Sequence, residues 1–225
     1  MVRTLFHGGV YALNGIDRRL TEIIRPISNC GFYVELGAND GLRQSNTYLL
    51  QQRFGWEGLL IEPCPVRYLE CVRNRSFGRL PSFRCAACVD PAYGAPFVDM
   101  EYSDLMSVAL GLDLSPEEAS RQADRGLPFL DDPRQRHRFG AVARTLTSLL
   151  DEVGAPAAFD LLSLDVEGNE LAVLKGLDLN RYRPRWILAE CRDAAVPSHL
   201  ESVGYRQQEL LSDSGNYRDI LFCSV

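Results

Sequence analysis

Phe32-Tyr33-Val34-Glu35-Leu36-Gly37-Ala38-Asn39-Asp40-Gly41, answered after a helical stretch by Leu59-Leu60-Ile61-Glu62, decides how this chain folds. The first five residues are a short apolar run with an acid near its end. Gly37 to Gly41 then supplies small, turn-permissive residues, where a chain can leave a strand and enter a helix close to a ligand. Tyr48, Leu49, Leu50 and Phe54 mark that helix, and residues 59–61 read as a second strand ending in Glu62. Strand, glycine turn, helix, strand, acid is the plan of a cofactor cleft at the carboxyl edge of an open sheet. Glu62 falls about twenty residues after Gly41, where a carboxylate accepts hydrogen bonds from ribose hydroxyls.

Outward from this stretch the alternation repeats. Pro65–Arg75 reads as a helix with Tyr68, Leu69 and Val72 inward, residues 83–89 as a third strand, and 97–100 as a short added one. Later come a helix over Leu146–Val153, strands over 159–164 and 185–190, a short helix over 198–203, and strands over 205–211 and 218–225. Ser212-Asp213-Ser214-Gly215-Asn216 makes the last two a hairpin. The result is a mostly parallel α/β sheet with helices on both faces and an antiparallel strand at its edge. At the front, residues 1–13 read as a loosely docked arm. Residues 14–25 read as an amphipathic helix, with Leu20, Ile23 and Ile24 on one side and Pro26 ending it. The whole chain, 1–225, reads as one domain, with 1–28 its leading arm and helix.

Between residues 102 and 140 the alternation breaks. Ser115-Pro116-Glu117-Glu118 is a helix start, with Ser115 as cap and Pro116 at the first helical position. Arg121, Arg125, Arg134, Arg136, His137 and Arg138 make the segment basic. It reads as an insertion or lid above the sheet edge, where acceptors are selected. Its arginines have two readings, a solvated surface or recognition of an anionic acceptor.

With 225 residues the chain can bury a full core. A formal net charge of -6 argues against unspecific nucleic-acid binding. Arg3, Asp17, Arg18 and Arg19 interrupt any leader-like apolar run, and no later stretch has the length and apolarity to span a membrane. Seven cysteines without framework spacing fit a reduced, cytoplasmic protein. Cys85 and Cys88 read as buried small hydrophobes, since no second ligand pair follows. The leading helix and the insertion offer surfaces for a homo-oligomer.

The spacing Gly37-x-x-x-Gly41 leaves no backbone cradle for a pyrophosphate, which counts against a dinucleotide. S-adenosylmethionine, with one ribose and an amino-acid end, needs none. Asp165-Val166-Glu167-Gly168-Asn169-Glu170 is the chemical centre, because Asp165 leaves a central strand at the carboxyl edge. Asp165 and Glu167 are the candidates for handling a substrate hydroxyl, and Glu170 reads as an exposed or capping acid. Glu190 ends the next strand. Asp165 and Glu190 together suit proton removal or a hard divalent ion such as Mg²⁺, with Asp193 as the available third ligand. His137 and His199 are weaker candidates, read as surface and structural.

These residues carry a resemblance. Gly37-Ala38-Asn39-Asp40-Gly41, Ser45-Asn46-Thr47, Gly55-Trp56-x-Gly58-Leu59-Leu60-Ile61-Glu62-Pro63 and Asn74-Arg75 resemble the front half of the FkbM family of S-adenosylmethionine-dependent methyltransferases. Leu161-Leu162-Ser163-Leu164-Asp165-Val166-Glu167-Gly168-Asn169-Glu170 resembles that family's central motif. The similarity covers roughly 30–90 and 145–192 and leaves 102–140 unmatched. It implies a Rossmann-like class I methyltransferase fold with a seven-stranded sheet. It also implies O-methylation of a hydroxyl on a small molecule, often a sugar or natural-product intermediate. By the same resemblance Glu35, Gly37 and Gly41 form the first cofactor turn, and Glu62 meets the ribose. Asn39 and Ser45 lie near the amino-acid end, Ala87 and Cys88 lie against the adenine, and Asp165 borders the reacting end. The competing readings are an NAD(P)-dependent oxidoreductase on a similar sheet and a non-catalytic cofactor-binding protein.

Overall fold

The computed structural model describes residues 11–24 and 31–225. The arm over 1–10, the helix end at Arg25 and Pro26, His7 and Cys30 lie outside the described residues. Helix α1 spans Ile16–Ile24, strand β1 Phe32–Leu36, α2 Tyr48–Phe54, β2 Glu57–Ile61, α3 Pro65–Arg75 and β3 Ser82–Arg84. Then follow β4 (Ala87–Cys88), β5 (Phe97–Tyr102), β6 (Val108–Ala109), α4 (Pro116–Arg125) and β7 (His137–Arg144). The second half runs α5 (Leu146–Val153), β8 (Ala158–Leu164), α6 (Glu170–Lys175), β9 (Arg183–Cys191), α7 (Ala195–Ser202), β10 (Tyr205–Asp213) and β11 (Arg218–Ser224).

Seven strands form the main sheet in the order β10-β11-β9-β8-β1-β2-β3. All run parallel except β11, which pairs antiparallel with both β9 and β10. The expected antiparallel edge is therefore this terminal hairpin, with the reversed strand one place in from the rim. Alternation along each strand builds two cores. Val34, Leu36, Leu59, Ile61, Leu162 and Leu164 face α5, α6 and α7. Tyr33, Leu60, Leu161 and Leu188 face α1, α2 and the Cys71 side of α3. Helix α1 thus packs on the sheet.

Local chemistry fixes the helix ends. Thr145 caps α5 by accepting from the Ser148 N–H, and Gly154 closes it in the left-handed conformation that glycine adopts at no steric cost. Ser115 and Glu118 form a reciprocal capping box at α4, with Pro116 in the first turn.

Three expectations need correction. The run 83–89 is two strands: β3 joins the main sheet, whereas β4 joins a second sheet of order β4-β7-β5-β6. Helix α3 turns Cys71 and Arg75 inward, while Leu69 is 65% exposed. Residues 137–144, placed partly in the irregular insertion, form β7, whose His137 pairs with Tyr102 of β5. The non-sheet part of the segment therefore runs from 103 to 136, apart from the short strand β6, and its two ends meet across that pair.

Candidate functional site

Strand β1 leads to β2 on one side and pairs with β8 on the other, so a crevice opens at their carboxyl ends. A cavity lies there, with about 820 Å³ of non-atom space counting its open mouth. Gly37, Asn39, Glu62, Ala87, Cys88, Asp165 and Glu167 line it. Glu35, Gly41, Ser45 and Glu190 do not, and the physical reasons differ.

Gly37 has a φ of 77°, and a Cβ there would collide with the Asp165 carbonyl oxygen. The ends of β1 and β8 approach this closely only because position 37 lacks a side chain. The N–H groups of Gly37 and Ala38 both donate to the Ile61 carbonyl, at 3.2 and 3.1 Å. Glu62 is thereby carried beside the turn. One of its oxygens accepts from the Asn39 N–H and the other from the Cys64 N–H, each at 2.8 Å. A carboxylate offers about four lone-pair sites, so acceptor capacity remains for a ligand's hydroxyls. Burial pushes the Glu62 carboxyl up to about 7, while those backbone donors oppose the rise.

Glu35 serves the wall behind the cavity. Its carboxylate accepts from the Ser45 hydroxyl, the Asn46 N–H at 2.8 Å and the Thr47 hydroxyl at 2.6 Å, with Arg75 at 3.5 Å. Arg75 is fully buried and donates to Gln51 Oε1, the Gly41 carbonyl and the Tyr33 hydroxyl. Gly41 lies against Arg75 and Cys71, so a side chain there would strike α3. Glu35, Gly41 and Ser45, expected at the cofactor, lie outside the cavity lining and brace the loop that presents Asn39. Asp40 caps its own turn, accepting from the Leu42 and Arg43 N–H groups.

Across the cavity, Asp165 follows β8 and Glu190 lies near the end of β9. Oxygens of Asp165, Glu167 and Glu190 all lie within 4.8 Å of one another. Burial drives all three acids upward, aided at Glu167 and Glu190 by the neighbouring carboxylates. Asp165 rises to about 6, Glu190 to about 10, and Glu167 well above the usual carboxylate range. Arg192 opposes the rise at each. Glu167 sits at φ 58°, a left-handed backbone that a side-chain-bearing residue adopts only where its surroundings hold it. Gln122 of α4 donates to its Oε2, and Arg192 Nη2 donates to the same oxygen at 2.9 Å. Glu170 is buried rather than exposed, and it ties the turn by accepting from the Val166 and Gly168 N–H groups.

The oxygen set suits a divalent ion in kind, with Glu167 in the third place. Asp193, expected there, instead accepts from the Ala195 N–H. Two of the three acids, Glu167 and Glu190, are already ion-paired to the Arg192 guanidinium, which competes with an ion for them.

The segment from 103 to 136 roofs the cavity through Asp104, Leu105, Ser107 and Leu112. Asp104 anchors one side, paired with Arg43 at 3.1 Å and Arg67 at 2.8 Å. Asp113 anchors the other, donating from its N–H to Asn169 and accepting from the Ala172 N–H. None of Arg121, Arg125, Arg134, Arg136, Arg138 or His137 lines the cavity. Arg134 and Arg136 are engaged by Asp132, Glu101 and Asp124. His199 lies on α7 away from the lining, its pKa lowered by burial. Burial raises Cys85 and pushes Cys88 up to about 12, so both stay as thiols. Arg192 and Gln122 were not legible as site residues: their partners are long-range, and no local motif marks them.

The methyltransferase FkbM domain family matches residues 35–207. The chain belongs to that family. The FkbM match takes in both ends of the cavity, from the β1 turn to the Asp165 loop, and the segment between them. No curated protein sequence matches significantly. Among solved structures, two of the METTL16 MTase domain match with TM-scores of 0.51 and 0.50, at 12% and 14% identity. Each alignment covers 93% of this chain and 66% of the other, so the chain spans slightly less than two thirds of those structures. That likeness concerns the fold. Among the described residues, no helix is long and apolar enough to cross a membrane.

Proposed function

We propose that this FkbM-domain chain transfers a methyl group from S-adenosylmethionine to a hydroxyl of a small molecule, with sugars and natural-product intermediates as the acceptor class to test first. The observation that carries the reading is one cavity with Glu62, its acceptor capacity part-used, on one side and Asp165 on the other. Glu62 would hold the ribose, Gly37 and Asn39 would border the amino-acid end, and Ala87 and Cys88 would lie beside the adenine. Bound S-adenosylmethionine supplies a methyl carbon already activated by its sulfonium.

The protein's part is alignment and proton removal. Asp165 lines the cavity, and burial raises its carboxyl to about 6, so it would be the acid that takes the acceptor's proton. A base with a pKa near the working pH combines the correct charge state with sufficient proton affinity. The segment from 103 to 136, pinned by Asp104 and Asp113, would shape the acceptor's space. Arg43, the one arginine lining the cavity among the described residues, is paired with Asp104, which gives no support to a strongly anionic acceptor.

Calorimetric titration with S-adenosylhomocysteine tests the cofactor half, and labelled methyl transfer to a hydroxylated metabolite panel tests the other. Glu62→Ala should weaken binding of S-adenosylhomocysteine about tenfold or more, the worth of a hydrogen bond to a charged group. Asp165→Asn should leave that affinity within about threefold and lower turnover about 100-fold or more. Failure of the wild type to bind the cofactor, or equal loss of affinity in both variants, would contradict this division of labour.

A further inference from the structure

We propose that Arg192 is the resident cation of the acid cluster, standing where a divalent ion would sit, so that acceptor activation falls to Asp165 without a metal. This inference rests on the methyl-transfer reading and concerns how the acceptor is deprotonated.

Three carboxylates brought within 4.8 Å of one another require positive charge or protons. Arg192 lies just past the end of β9, two residues beyond Glu190, and its side chain reaches back to that acid. Its Nη2 is 2.6 Å from Glu190 Oε1 and 2.9 Å from Glu167 Oε2, so one NH₂ group spans two acids. Its Nη1 donates to Gln122 Oε1 at 2.9 Å, and Gln122 donates in turn to the same Glu167 oxygen. The guanidinium is thus held on both arms, with the Tyr217 ring 6.0 Å away. Mg²⁺ would need oxygens at about 2.0–2.1 Å, and it would compete with this nitrogen for two of the three acids.

The consequence is a division among the acids. Glu167 and Glu190 are ion-paired to Arg192, whereas Asp165 is in no ion pair among the described residues; the buried Oδ1 of Asp165, like Glu190 Oε1, has no hydrogen-bond partner. A metal would activate an acceptor oxygen by coordinating it, which a guanidinium cannot do. Here the acceptor's O–H bond breaks towards Asp165 while its oxygen bonds the methyl carbon, and the carbon–sulfur bond electrons return to sulfur. The proton then leaves Asp165 for solvent once product departs.

Mn²⁺ binding, followed by electron paramagnetic resonance, tests this with no acceptor in hand. The wild type should bind no stoichiometric Mn²⁺ up to about 1 mM, the weak end of oxygen-ligand sites. Arg192→Gln should gain one Mn²⁺ site at least about tenfold tighter, removed again by adding Asp165→Asn. Arg192→Lys should restore the cation and show no such site. A purely structural arginine would leave Mn²⁺ binding unmoved in every variant, which would overturn the proposal. So would a wild-type Mn²⁺ site abolished by Asp165→Asn, a result that decides the matter even if Arg192→Gln fails to fold. S-adenosylhomocysteine titrated into the same wild-type sample reports separately: no binding there sinks the methyl-transfer reading, and a native Mn²⁺ site sinks this one.

Discussion

At the scale of single residues, Glu62 is the side chain whose protonation, on the proposed reading, would decide affinity. Its folded pKa, about 7, stands above the ordinary value because burial disfavours the carboxylate. Ribose hydroxyls donate best to the ionised form, so bound ligand and bound proton compete. Affinity for adenosine, which has no amino-acid end to titrate nearby, should rise about tenfold from pH 6 to pH 8. Glu62→Gln should flatten that slope and weaken binding, as calorimetry across the range would show; a slope unchanged in the variant would assign the proton elsewhere. That Glu62 would stand beside the glycine turn, in the cavity lining, was legible because its distance from that turn is a chain property. Arg192 was not, since an arginine beyond a strand end looks like any solvated one until β8, β9 and α4 converge on it.

At the scale of elements, the loop after β1 depends on a helix two elements away. Arg75 is 0% exposed, and it joins Glu35, Gln51, Tyr33 and the Gly41 carbonyl into one network. Removing one partner of a buried pair leaves the other charged and unpaired. Arg75→Met should therefore lower stability by about 3–5 kcal/mol in urea unfolding. A cost below about 1 kcal/mol, the value of a surface pair, would mean the network contributes little. The apolar pattern placed Pro65–Arg75 as a helix at its observed ends. It misjudged the inward face, because a buried arginine reads as surface and Leu69 reads as core. Likewise 83–89 carries one unbroken strand-like pattern, and only tertiary pairing sends β3 to one sheet and β4 to the other. Capping chemistry was more informative: Ser115 and Glu118 act within four residues, so the start of α4 was readable inside an otherwise opaque segment.

At the scale of the molecule, the buried acids should leave a signature in stability against pH. Asp165 is raised to about 6, and Glu62, Glu170 and Asp219 to about 7. Each raised carboxyl makes the folded state hold more protons than the unfolded chain between about pH 4 and pH 7. Stability is thus greatest below that window and falls as pH climbs through it. The urea midpoint without ligand should be lower at about pH 8 than at about pH 5.5, and Glu62→Gln should shrink the difference. A midpoint that rises over the same interval would show that these carboxyls are stabilised as anions. The fold class was legible because parallel strands and covering helices repeat a local pattern down the chain. The roof over the cavity was not, since its position depends on Asp104 and Asp113 meeting partners far along the chain.

On the proposed reading, one methyl-donating nucleoside lies between Glu62 and Asp165. A crystal structure with S-adenosylhomocysteine bound measures this directly. The expected result is both ribose hydroxyls within hydrogen-bond distance of the Glu62 carboxylate and the sulfur facing the side of the cavity that carries Asp165. Nucleoside bound elsewhere, or with its sulfur turned away from Asp165, would contradict it.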